Sequence, residues 1–206
     1  MLKEEKVFWK NGALTGEGLY CPGTEKSGVV ICHPHPLMGG SMHNNVVETL
    51  QEVFAGDGYA TLRFNFRGVG GSTGSYDEGR GEKTDIVSAC GFLKSRGVGE
   101  ITLAGYSFGA WIACRLLAGD DYNEGDVVLI SPPDKYFDFD WEMKSSAVKL
   151  IICGDSDIFC DASVLKARSS GLGAKFVMIE ETDHFYGGRE RLLAECLKGY
   201  LDEKKA

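Results

Sequence analysis

Ser107 lies in Gly105-Tyr106-Ser107-Phe108-Gly109, directly after the apolar run Ile101-Thr102-Leu103-Ala104 and before a stretch with helical spacing. A serine on such a strand-to-helix turn is held out above the end of its strand. The flanking glycines suit the turn, because a Cβ at either place would collide with the neighbouring strand or helix. In a chain with 28 glycines the five-residue pattern recurs by chance, so its setting decides its meaning. A serine hydroxyl is a poor nucleophile at its ordinary pKa. It needs an imidazole to take its proton and an acid to orient that imidazole. Of the four histidines, His33, His35 and His43 precede or begin the first helix of the parallel sheet, while His184 follows the last apolar run in Glu180-Glu181-Thr182-Asp183-His184-Phe185. A loop in that place can reach back over a sheet to the serine turn. For the acid, Cys153-Gly154-Asp155-Ser156-Asp157 follows the penultimate run, on the same edge. Asp157 is the first choice. Asp155, two residues nearer the strand, suits bracing the loop through backbone bonds.

The elements that must carry these residues follow from periodicity. Residues 4–10 and 14–20 read as two strands around Asn11-Gly12, a dipeptide that favours hairpin turns. Further on, Val29-Val30-Ile31-Cys32, 60–64, 101–104, 127–130, 148–153 and 176–179 are short apolar runs, which suit strands covered on both faces of a parallel sheet. Between them the period turns helical. Val46, Leu50, Val53 and Phe54 share a face after the candidate cap Asn44, and Ile86, Ala89, Cys90 and Leu93 share another. Trp111, Ile112, Arg115 and Leu116 continue from the serine turn, and residues 192–201 form a strongly amphipathic last helix. A hairpin followed by alternating strands and helices is the pattern of a mostly parallel sheet wrapped by helices, with its ligand crevice beyond the carboxyl ends of the strands. The irregular stretch 131–146 is the one segment able to overhang that crevice, and its Tyr136, Phe137, Phe139 and Trp141 either form an apolar wall there or seal the core edge.

Composition narrows the field. The chain of 206 residues is 43% hydrophobic and lacks a low-complexity linker, so one domain spanning 1–206 is expected. A formal charge of -8 argues against a nucleic-acid partner. The charged start Met1-Leu2-Lys3-Glu4-Glu5-Lys6 is unlike a signal peptide, and no apolar run has membrane-spanning length, so no membrane association is expected. Seven cysteines without a C-x-x-C pair, mostly inside apolar runs, read as reduced, buried thiols of a cytoplasmic protein.

The order Ser107, Asp157, His184 resembles the α/β-hydrolase superfamily, in which nucleophile, acid and histidine follow one another in this way. Asn65-Phe66-Arg67-Gly68-Val69-Gly70-Gly71-Ser72 is similar to the family's D-x-R-G-x-G-x-S loop, with Asn65 where Asp is usual, and the resemblance runs from Gly28 to Tyr200. It implies an α/β fold with a mostly parallel central sheet of about eight strands, an N-terminal hairpin and no lid domain. His33-Pro34-His35-Pro36-Leu37-Met38-Gly39-Gly40 stands where the family supplies half of its oxyanion hole, and it resembles a small lidless branch related to dienelactone hydrolases. Proline has no N-H, so Leu37, the first residue past the doublet, and Phe108 are the expected backbone donors. His33, His35 and His43 could in principle chelate a metal. No H-E-x-x-H pattern accompanies them, however, and the expectation is that neither metal nor cofactor is used and that His33 and His35 bond to backbone. Arg67 is placed either to meet a substrate carboxylate or to form a salt bridge under its loop.

These residues together point to a serine hydrolase that cleaves an ester-type acyl bond of a small soluble substrate through an acyl-enzyme. A thioesterase or peptidase would use the same three residues, and a non-catalytic binding protein could share the fold. Oligomeric state leaves no trace in the sequence.

Overall fold

The two-residue loop Gly12-Ala13 closes the N-terminal hairpin, with Gly12 at φ 61°, the left-handed value that such loops ask of their first residue. It joins β1 (Glu5–Asn11) to β2 (Leu14–Cys21), so the turn sits one residue later than the sequence suggests. The structure is a computed structural model that describes residues 3–119, 125–139 and 146–205. After the hairpin come β3 (Ser27–Cys32), α1 (Asn45–Gly56), β4 (Ala60–Asn65), α2 (Arg80–Ser95), β5 (Glu100–Tyr106) and α3 (Phe108–Leu117). The chain ends with β6 (Val127–Ile130), β7 (Val148–Gly154), α4 (Ala162–Leu172), β8 (Lys175–Ile179) and α5 (Glu190–Lys205).

Among the described residues the strands form one sheet in the order β1-β2-β4-β3-β5-β6-β7-β8. The hairpin joins it antiparallel through β2 and β4, and every pairing from β4 to β8 is parallel. The unbroken apolar runs have the cause expected of them. In β3, Val29 and Ile31 enter the core beneath α1 and α5, whereas Val30 and Cys32 enter the core beneath α2, α3 and α4. Both faces are covered, so apolar residues fill both sides of β3. This is the α/β-hydrolase fold.

α4 leaves almost no periodic signal, because Leu165 is its one buried apolar residue. Its start is set instead by Asp161, whose carboxylate accepts from the N-H groups of Ser163 and Val164. All seven cysteines are free, and all but Cys196 are buried. No helix among the described residues is long and apolar enough to cross a membrane. Phe139 packs into the core edge, while Trp141 lies outside the described residues.

Asn44 caps α1 by accepting the Val46 N-H at 2.9 Å. Replacing it with alanine should cost about 1 kcal/mol in urea unfolding, and replacing it with glycine only a few tenths. No loss of stability in either variant would show that the side-chain cap contributes nothing.

Candidate active site

The turn after β5 is as tight as its glycines imply. A Cβ on Gly105 would stand 2.6 Å from the Gly109 carbonyl oxygen, and one on Gly109 would run into the Cys32 carbonyl at the end of β3. Ser107 between them adopts φ 54° and ψ -117°, a conformation costly for any residue with a Cβ. Its N-H donates to Ile130 O at 2.9 Å, which fixes the turn to the end of β6. The side chain therefore projects over the carboxyl edge of the sheet, and only 8% of the residue is exposed.

The loops after β7 and β8 converge on this point. Gly154 lies so close to the Thr182 carbonyl that a Cβ would overlap it, so the acid-bearing loop rests directly on the histidine-bearing loop. His184 Nε2 is 2.9 Å from Ser107 Oγ, and His184 Nδ1 is 2.8 Å from Asp157 Oδ2. A carboxylate only accepts, so Nδ1 carries the imidazole proton and the lone pair of Nε2 faces the serine hydroxyl. Asp157 and His184 are each 6% exposed. Burial opposes the charge on Asp157, yet bonds from His184, Ser131 and Cys160 outweigh it and hold the carboxyl below its ordinary range. The other carboxylate oxygen accepts from the Phe159 N-H at 2.9 Å, and the Cys160 thiol lies 3.2 Å from Oδ2. Asp155, by contrast, accepts from the Thr182 N-H and the Ser156 hydroxyl and so braces the two loops.

Several supporting residues carry no signal in the sequence. Tyr106 donates its hydroxyl to the His184 carbonyl at 2.7 Å. The Ser131 and Tyr186 hydroxyls are 2.8 Å apart beneath the acid, and both residues have left-handed backbones, at φ 44° and 57°. Asn45 donates to the Phe185 carbonyl and to Glu190, tying the start of α1 to the histidine loop. Each of these pairs joins segments far apart in the chain, and no spacing rule could have found them.

In the loop after β3, the Leu37 N-H donates to His35 Nδ1 at 3.2 Å. Leu37 could serve as the expected oxyanion donor only by giving up that bond. The N-H groups of His35 and Phe108 donate to no protein acceptor among the described residues. Cys32 pairs with Gly105, so the chain leaving β3 passes beside the serine turn, and His35 is the one residue between the two prolines that has an N-H. That signal was present in the sequence.

The other histidines have separate partners. His33 accepts the Phe66 N-H at Nε2 and donates from Nδ1 to the Pro34 carbonyl, while His43 lies 4.0 Å from Glu48 on the surface. Among the described residues the one group with metal-ligand spacing is Asp157, Cys160 and His184, whose atoms are already bonded to one another and to Ser107. Arg67 forms a two-pronged ion pair with Asp85, which makes it a structural salt bridge. Asn65 donates to Glu17 at 2.7 Å, and Glu17 also holds the Gly71 N-H and Lys6. An aspartate at 65 would set two carboxylates against each other, which accounts for this departure from the usual loop.

The family model for the alpha/beta hydrolase family matches residues 29–194. The chain belongs to this family. This alpha/beta hydrolase is 32% identical over 201 residues to an uncharacterized protein of Rickettsia prowazekii, with 90% of this chain and 83% of that one covered. It is also 32% identical to an alpha-beta serine hydrolase homologue from Coxiella burnetii, with a TM-score of 0.85 over 94% of this chain and 95% of that one. A lidless serine hydrolase from Xanthomonas campestris, XC6422, is 27% identical, with a TM-score of 0.84 over 98% of this chain and 94% of that one.

His33 is buried as the neutral imidazole, and burial lowers its pKa to about 4. The unfolded chain takes up this proton near pH 6.5 and the folded one does not, so stability falls with acidity between those values. The slope should be about 1.4 kcal/mol per pH unit. Urea titrations at several pH values should show this slope in the wild type and its loss in His33→Gln. The same slope in both would place the linked proton elsewhere.

Proposed function

We propose that this alpha/beta hydrolase is a serine hydrolase that cleaves an ester-type acyl bond of a small soluble substrate through an acyl-enzyme. The observation that carries the reading is the unbroken line of hydrogen bonds from Ser107 Oγ through His184 to Asp157.

In this mechanism His184 Nε2 takes the serine proton as Oγ attacks the acyl carbonyl. Asp157 keeps the proton on Nδ1 and stabilises the imidazolium that forms. The carbonyl oxygen gains negative charge as it becomes tetrahedral. The N-H groups of Phe108 and His35 are free to receive it, and such donors are often worth about 3 to 4 kcal/mol each. The intermediate collapses as His184 passes its proton to the leaving alcohol. Water then repeats the sequence on the acyl-enzyme and restores Ser107. His184 acts first as base and then as acid, which requires both ring nitrogens to stay in line, and Tyr106 and Asp157 hold them there.

Hydrolysis of p-nitrophenyl acetate tests the assignment of the acid. Asp157→Asn should lower kcat by on the order of a thousandfold or more, because an amide can favour the wrong imidazole tautomer. Asp155→Asn should have a far smaller effect, since its bonds run to Thr182 and Ser156. A larger loss in Asp155→Asn than in Asp157→Asn, with both variants folded, would reverse the roles.

A further inference from the structure

Of the nine large hydrophobic side chains exposed among the described residues, five, Leu37, Met38, Tyr136, Ile158 and Phe185, stand on the loops at the carboxyl edge that bears Ser107. The other four are scattered over the remaining surface. Beneath this collar lie two aromatic walls. On the His184 side, the Phe159 ring is centred 4.6 Å from the imidazole, with Tyr136 4.9 Å beyond it. On the Phe108 side, the His35 ring is centred 4.9 Å from Phe108. Phe137 lies nearly parallel to His35 at 6.1 Å and is stacked on Trp111 at 4.4 Å. Trp111 in turn donates from its indole N-H to the Asp138 carbonyl. The second wall is thus held in place before any substrate arrives, so a ring docking there loses little in ordering the protein.

Charge excludes one class of substrate. Arg67 is bound to Asp85, Arg189 to Glu181, and Arg115 lies over Trp111 and donates to the Glu78 carbonyl. Lys135 sits in the field of Asp134 and Asp161. Among the described residues the three arginines are thus already engaged and Lys135 is drawn toward two carboxylates, and the chain carries a net charge of -8, so this edge offers a substrate carboxylate little attraction.

The two walls also have different assignments in the reaction. His184 must hand its proton to the leaving alcohol, so the wall built on His184 faces the alcohol portion. The wall at His35 and Phe137, beside the Phe108 N-H, is left for the acyl portion.

We propose that the acyl group taken by this site is uncharged and carries an aromatic ring that lies against His35 and Phe137. The inference rests on the ester-hydrolase reading. A ring gains offset or edge contacts with these aromatics beyond its buried area. A straight chain of equal carbon number would extend past the wall into water and recover only part of its burial energy.

The test is a series of p-nitrophenyl esters with one leaving group and varied acyl groups: acetate, phenylacetate, octanoate and the mono-ester of glutaric acid. The ring contacts predict kcat/KM for phenylacetate about tenfold above octanoate, with the glutarate ester the poorest of the four. Phe137→Leu should bring the phenylacetate-to-octanoate ratio close to one, and Tyr76→Leu, whose ring is centred 5.1 Å from His35, should lower it in the same direction. Tyr136→Leu, on the alcohol wall, should leave that ratio unchanged. The proposal is overturned if octanoate matches or exceeds phenylacetate in the wild type, or if the glutarate ester is fastest. It is also overturned if the ratio responds to Tyr136→Leu and not to Phe137→Leu, which would put the ring on the alcohol side. Failure to hydrolyse even the acetate would sink the hydrolase reading itself and this inference with it.

Discussion

The carboxyl edge of the sheet is organised by how closely the start of α3 is pressed against the end of β3. Gly109 touches the Cys32 carbonyl and Gly105 touches the first turn of α3, so the five-residue turn has no room to relax. Ser107 pays for this with a left-handed backbone. Its N-H is anchored on β6 and its hydroxyl is carried into the path of His184. The same squeeze brings the His33 to Leu37 loop alongside the turn, because that loop leaves β3 at the residue paired with Gly105. The serine turn and the loop after β3 are thus set by one packing contact.

The acid and the histidine reach that point by a second close approach, of Gly154 on Thr182. Their loops carry strain as well, at Glu181 and Tyr186, and the adjoining β6 loop carries it at Ser131. Hydrogen bonds hold these conformations. Tyr186 and Ser131 bond to each other under Asp157, and Tyr106 holds the His184 backbone from the strand that leads into Ser107. Such groups restrict the rotamers of Ser107, His184 and Asp157, which keeps their donors and acceptors within hydrogen-bond distance.

Features encoded locally were legible in the sequence. The glycines around Ser107, the cap at Asn44, the hairpin and the two-faced apolar runs each follow from neighbours within a few residues. The convergence of Ser107, Asp157 and His184 was legible because a parallel sheet places all strand ends on one edge. α4 was not, since a helix with one buried apolar residue has no periodicity to detect. The pairing of Asn65 with Glu17 and of Ser131 with Tyr186 was invisible too, because it depends on segments that meet only in the folded chain. The expectation of Leu37 as an oxyanion donor overlooked that the His35 side chain can turn back and engage its N-H.

The central claim is that Ser107 is a nucleophile activated by His184. Treating the folded protein with a fluorophosphonate and mapping the adduct by peptide mass spectrometry tests it most directly, since the reagent modifies only a serine whose proton is being withdrawn. A single adduct on Ser107, absent in Ser107→Ala, is the predicted result. An adduct on another serine, one that survives in Ser107→Ala, or no reaction of the folded wild type would contradict it.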